Sequence, residues 1–136
     1  MITTVTMNAS IDKAYYINQA IEDGTVMRVN TCINSAGGKG LNVARIVRLC
    51  KAQVLATGLV GGFNGQYLES LLDKDGIPHQ FLHIEGETRS CINIIDKKYG
   101  STEYLEPGCE VTLKEEQAFI HQFPKMIQDS QVVTIS

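Results

Sequence analysis

Ser35-Ala36-Gly37-Gly38-Lys39-Gly40-Leu41-Asn42-Val43-Ala44 decides the reading of this chain. Upstream of it, Val26 to Asn34 alternates. Met27, Val29, Thr31 and Ile33 take one face and Arg28, Asn30, Cys32 and Asn34 the other, the period of a half-buried strand. Downstream, a helix from about Lys39 to Lys51 carries an apolar stripe at Val43, Ile46, Val47 and Cys50. A glycine-rich junction between strand and helix is either a tight connection or an anion site, because glycine admits a ligand close to the free N–H groups of the helix start. Lys39 tilts the choice towards an anion, since an ammonium there opposes the helix dipole. The spacing fits neither the phosphate loop GxxxxGK[ST] nor the dinucleotide fingerprint GxGxxG.

Working outward, Ile2–Met7 predicts a first strand and Asn8–Asp12 a polar turn. Val54–Val60 is nearly all apolar, as in a parallel strand covered on both faces, and Gly61–Gly65 is expected to break it. A helix over about Gln66–Lys74, with Leu68, Leu71 and Leu72, ends at Gly76-Ile77-Pro78. Gln80–Ile84 reads as a strand, and Arg89–Asp96 and Thr102–Leu105 pair across a turn at Lys97–Ser101. Thr112-x-x-Glu115 is a capping box, opening a helix with Phe119, Ile120, Phe123 and Ile127 inward, before a last strand at Val132–Ile135. The alternation predicts an α/β fold: a parallel sheet with flanking helices, plus a small separate β-sheet built from strands near 11–18, 26–34, 89–96 and 102–105.

The chain has 136 residues, 43% of them hydrophobic, which suits a packed core. Fifteen acidic against twelve basic residues, a net charge of −3 and no basic block argue against nucleic acid or a membrane surface as partner. No apolar run reaches membrane-span length, and Met1–Met7 lacks the features of a secretion signal, so a cytoplasmic location is expected. Cys32, Cys50, Cys91 and Cys109 include no CxxC pair and are expected as buried free thiols. His79, His83 and His121 lack zinc-ligand spacing; His79 and His83 fall on one face of a strand, too far apart to share a metal, and no metal site is expected.

Single residues stay ambiguous. Asp12 is either a turn carboxylate or an acceptor for sugar hydroxyls. Arg89 either pairs with Glu85 or Glu87 or reads a phosphate with its guanidinium fork. Asn42 lies one turn into the helix, facing solvent or a ligand hydroxyl. Phe63-Asn64-Gly65 follows a parallel strand, where α/β folds place ligands.

Together the blocks Asn8–Asp12, Ala36–Arg45, Gly58–Gly65, Gly86–Arg89 with Ile92-Asn93-Ile94, and Thr102–Gly108 occur in an order and spacing that resembles the PfkB (ribokinase-like) carbohydrate kinases. Within them the chain is similar to the hexose-phosphate branch of 1-phosphofructokinases and tagatose-6-phosphate kinases. Its Lys39-bearing glycine block and Thr88-Arg89-Ser90-Cys91-Ile92 look nearest to the latter. The resemblance implies a ketohexose phosphate as substrate, with Asp12 on sugar hydroxyls. Gly37, Gly38, Lys39 and Asn42 would lie around phosphate and ring, with Arg89 closing from a β lid. It also implies a homodimer through that lid, and ATP with Mg2+ as cofactors.

In that family the Gly-Ala-Gly-Asp motif that supplies the general base lies in a second half of the chain, and no Gly-x-Gly-Asp occurs here. The expectation is an N-terminal portion of such a kinase, with the catalytic Asp beyond Ser136, inactive alone. The alternative is a non-catalytic sugar-phosphate-binding or dimerisation module. A dinucleotide-binding domain is disfavoured, because Asn8-Ala9-Ser10 stands where a glycine fingerprint would follow the first strand.

Overall fold

The computed structural model describes residues 1–136. In chain order the elements are β1 (Ile2–Thr6), β2 (Ser10–Tyr16), β3 (Thr31–Gly37), α1 (Lys39–Leu49), β4 (Val54–Gly61), α2 (Gly62–Lys74), β5 (His79–Ile84), β6 (Arg89–Asp96), β7 (Gly100–Leu105), α3 (Leu113–Ile127) and β8 (Val132–Ile135). They form two four-stranded sheets, ordered β5-β4-β1-β8 and β3-β2-β6-β7. The first is wholly parallel, with Ile2 opposite both Val54 and Val132. In the second, β2 runs parallel to β6 and antiparallel to β3, and β6 and β7 make a hairpin.

Both faces of the parallel sheet are packed. On one side Leu41 and Ala44 of α1 and Leu68 and Leu72 of α2 meet Val54, Ala56 and Val60 of β4. On the other, Phe119 and Met126 of α3 meet Val5 and Leu59. The capping box starts α3, with Thr112 and Glu115 each satisfying the other's backbone N–H. Glu115 also accepts the Glu85 N–H at 2.7 Å, first among the donors that hold its carboxyl below the ordinary value of 4.5.

The second sheet packs less. Its outer end is tied by Asp96, which accepts the N–H groups of Lys98 (2.7 Å) and of Ile21 and Tyr99 (both 3.2 Å). Desolvation opposes ionisation of Asp96, but these three donors outweigh it and lower its pKa below the ordinary 3.8.

Several expectations change. The strand foreseen at 26–34 lies at Thr31–Gly37, because β2 ends at Tyr16, opposite Thr31, and residues before Thr31 have no strand to pair with. The foreseen turn at Asn8–Asp12 is cut short: β2 begins at Ser10, so Asp12 is a strand residue. The strand does end at Gly61 as expected, but Gly62 to Gly65 already form the first turn of α2, ahead of the helix start foreseen near Gln66.

The buried face of α1 is Gly40, Leu41 and Ala44, with Val47 beside it; Val43 and Ile46 are 41% and 60% exposed. Gly40 sets this rotation, since a side chain there would run into Thr6, and helix and β1 approach closely only along that line. In α3, Ile120 faces solvent and Met126 takes an inward place beside Phe119 and the half-buried Phe123. All four cysteines are free thiols, but only Cys91 is buried. His79 and His83 do share a face, and Glu69 of α2 bridges them at 3.7 and 3.0 Å. No helix is long and apolar enough to cross a membrane.

Candidate sugar-phosphate site

The second sheet turns one face towards the start of α1, and register fixes what that face carries. Ser10, Gly37 and Arg89 stand opposite one another nearest the parallel sheet. One step out come Ser35, Asp12, Cys91 and Leu105; the next step carries Ile33, Ala14, Asn93 and Glu103. Successive steps on one face are roughly 7 Å apart. All of these but Gly37, together with Gly38, Lys39 and Asn42, line a cleft of about 330 Å³. Five of the six sequence-predicted residues, Asp12, Gly38, Lys39, Asn42 and Arg89, thus share one cavity.

Gly37, the sixth, lies buried beside it. A side chain there would occupy the space of the Asp12 carboxylate, so Gly37 makes room for Asp12 and does not itself line the cleft. Asp12 is aimed by Ser10, whose hydroxyl donates to Oδ1 at 2.6 Å. Gly38 has φ +114°, a conformation open to glycine, and it ends β3 so that α1 starts at Lys39. The Asn42 side-chain oxygen accepts from Arg45 at 3.0 Å, which leaves its amide donors as the end offered to a ligand. None of the molecule's ion pairs involves Asp12, Lys39 or Arg89.

Arg89 pairs with neither Glu85 nor Glu87. Its Nη1 donates to the Glu106 carbonyl at 2.9 Å and its Nη2 to the Asn8 carbonyl at 3.2 Å. Glu87 instead caps α2, accepting the N–H of Asn64 at 2.6 Å and of Phe63 at 3.3 Å. The Asn64 side chain donates to the Thr88 carbonyl at 2.8 Å, and the Thr88 hydroxyl accepts the Gly61 N–H at 2.9 Å. The 63–65 segment is therefore no ligand loop. It is the clamp that fixes the strand bearing Arg89.

Asn93 and Glu103 are cleft residues that sequence reading does not single out. Their only signal is the cross-strand register of β6 with β7, where Asn93 stands opposite Glu103. The Ser101 hydroxyl donates to Asn93 Oδ1 at 2.7 Å and orients it. Elsewhere, no three His, Cys, Asp or Glu side chains converge as metal ligands would.

The cleft combines an open helix start, three cations (Lys13, Lys39 and Arg89) and two carboxylates (Asp12 and Glu103) in a partly apolar wall, a setting suited to a polyol bearing a phosphate. The fold is that of the ribokinase-like α/β proteins: a ribokinase from Giardia lamblia superposes over 98% of the chain with a TM-score of 0.72 at 16% identity. Residues 5–134 match the pfkB family of carbohydrate kinases, and the chain belongs to that family. It is similar to a Thermotoga maritima protein provisionally assigned as a 1-phosphofructokinase, with 33% identity, a TM-score of 0.90 and 99% of this chain covered. The Escherichia coli phosphofructokinase-2, solved in complex with fructose-6-phosphate, superposes over 99% of the chain with a TM-score of 0.84 at 24% identity. This chain spans 44% of the length of each of the latter two.

Proposed function

We propose that this chain carries the acceptor-binding part of an ATP-dependent ketohexose-phosphate kinase, which converts a sugar phosphate to a bisphosphate. The observation that carries this is the convergence of Asp12, Lys39, Asn42 and Arg89 on one cleft at the start of α1. Lys39 and Arg89, neither neutralised by a protein carboxylate, hold the phosphate already on the sugar. Asp12 accepts from ring hydroxyls, and the Asn42 amide donates to another. Gly38 lets the ligand approach the helix N–H groups. Tagatose 6-phosphate is the preferred ligand, with fructose 1-phosphate as its rival.

ATP and Mg2+ belong to the reaction by family. The residues of this chain do not fit them: no metal-ligand set converges and no Gly-x-Gly-Asp is present. The 136 residues thus bind and orient the acceptor but do not transfer the phosphoryl group. Two copies associate through the second sheet, whose Ile33 and Leu105 are 53% and 62% exposed.

Titration calorimetry with tagatose 6-phosphate and fructose 1-phosphate tests the site. Binding is expected to weaken about tenfold in Lys39→Ala and in Arg89→Ala, and an ADP-release assay to show no turnover by the 136 residues alone. No binding of either sugar phosphate by the unaltered chain would overturn the site. Binding without any gain of turnover when the remainder of a family kinase is fused on would favour the non-catalytic module.

A further inference from the structure

Arg89 is the one cleft cation whose position depends on a second segment of chain. Its guanidinium holds no carboxylate. It is fixed by two backbone carbonyls, of Glu106 and Asn8, from segments 98 residues apart in sequence. A carbonyl makes a precise anchor only if its own peptide is fixed, and both are. The Glu106 carboxylate accepts the Ser90 N–H at 2.7 Å, and the Ser90 carbonyl accepts the Glu106 N–H at 3.3 Å, so residue 106 is locked to the neighbour of Arg89. The Asn8 side chain donates to the Pro107 carbonyl at 3.0 Å, tying the other anchor to the same strap. Gly108 has φ +93°, and a side chain there would meet Asn8 Oδ1 at 2.5 Å, so the strap closes only with glycine at that place. The Nε of Arg89 is buried and has no hydrogen-bond partner.

We infer that Asn8, Glu106 and Gly108 are positioning residues that latch the strap after β7 over the end of β1 and hold Arg89 at the angle its phosphate contact requires. This rests on the reading of the cleft as a sugar-phosphate site. The latch neutralises no charge on Arg89, because carbonyls orient the fork without quenching it. Backbone anchors leave the full cation available to the ligand, and the unused Nε–H is a donor held in place. Without the latch the guanidinium keeps its charge but loses its direction, and two-point phosphate contact needs both.

The test is a double-mutant cycle on the full 136-residue chain, with fructose 1-phosphate and tagatose 6-phosphate as probes. Glu106→Ala and Asn8→Asp are each expected to weaken binding about tenfold, while Glu106→Gln, which keeps an acceptor for the Ser90 N–H, stays within about twofold of the unaltered chain. In an Arg89→Ala background, Glu106→Ala is expected to add nothing. An equal loss in both backgrounds would overturn the proposal, because it would make Glu106 a stability residue only. A second readout needs no ligand: the Arg89 Nε–H proton resonance should exchange slowly with water in the unaltered chain and in Glu106→Gln, and fast in Glu106→Ala. If neither sugar phosphate binds but this exchange pattern holds, the site reading fails and the latch stands. If binding occurs and the exchange rate does not respond to Glu106→Ala, the latch fails alone.

Discussion

The two sheets are the same size and are built by opposite means. The parallel sheet is covered on both faces, and its central strand β4 reads as an apolar run in the sequence. The second sheet leaves a face open, and that face carries Asp12, Asn93, Glu103 and Arg89 where the first has Val5, Ala56 and Val60. The first sheet spends its side chains on cohesion, and the second is held largely by strand pairing and by hydrogen bonds such as those of Asp96. The difference teaches that stability and recognition are separable here, and substitutions can be chosen to move one without the other.

The largest expected effect is on the covered sheet. Leu68 is fully buried between α2 and β4, so Leu68→Ala should cost about 3 kcal/mol in urea unfolding monitored by circular dichroism. Ile33→Ala on the open face should cost under about 0.5 kcal/mol by the same measurement. Comparable losses at both positions would break the contrast.

Gly37→Ala comes next. The added methyl displaces the Asp12 carboxylate, and calorimetry should show sugar-phosphate affinity lowered by at least about tenfold, although Gly37 itself does not line the cleft. Lys39→Ala should weaken the same binding by about tenfold while raising thermal stability slightly, since a cation at the start of α1 is unfavourable in the empty protein. A fall in melting temperature would show that Lys39 serves the fold.

The smallest effect is set by acid. Asp96 and Glu115 are both held below their ordinary values of 3.8 and 4.5 in the folded chain. The unfolded chain therefore binds more protons in this range. The stability the two groups give is complete above the ordinary carboxylate values and is lost as pH falls through their folded values. Amide exchange between pH 5 and pH 3, in the approximate range where carboxylates protonate, should open the β6–β7 turn first, and Asp96→Asn should open it already at neutral pH.

The parallel sheet was the more legible of the two. The continuous apolar run at Val54–Val60 announces a doubly covered strand without reference to any other segment, whereas the similar run at Val132–Ile135 forms a largely exposed edge strand. The Gly38-Lys39-Gly40 start of α1 was legible because glycine and a misplaced cation have local physical meanings. The orientation of α1 was not, because Gly40 decides it by what it lacks, and only the position of Thr6 reveals that. The pocket partners Asn93 and Glu103 depend on which residue of β7 falls opposite which of β6. That register is a tertiary fact, as is the Glu87 cap that turns Phe63-Asn64-Gly65 from a ligand loop into a clamp.

The Glu87 cap has one more consequence. Two helices, α1 and α2, begin at the same rim of the parallel sheet, and each offers unpaired N–H groups to negative charge. One berth is permanently taken by the chain's own carboxylate. The start of α2 is thereby closed to any outside anion, and of the two helix starts only that of α1 lines the cleft.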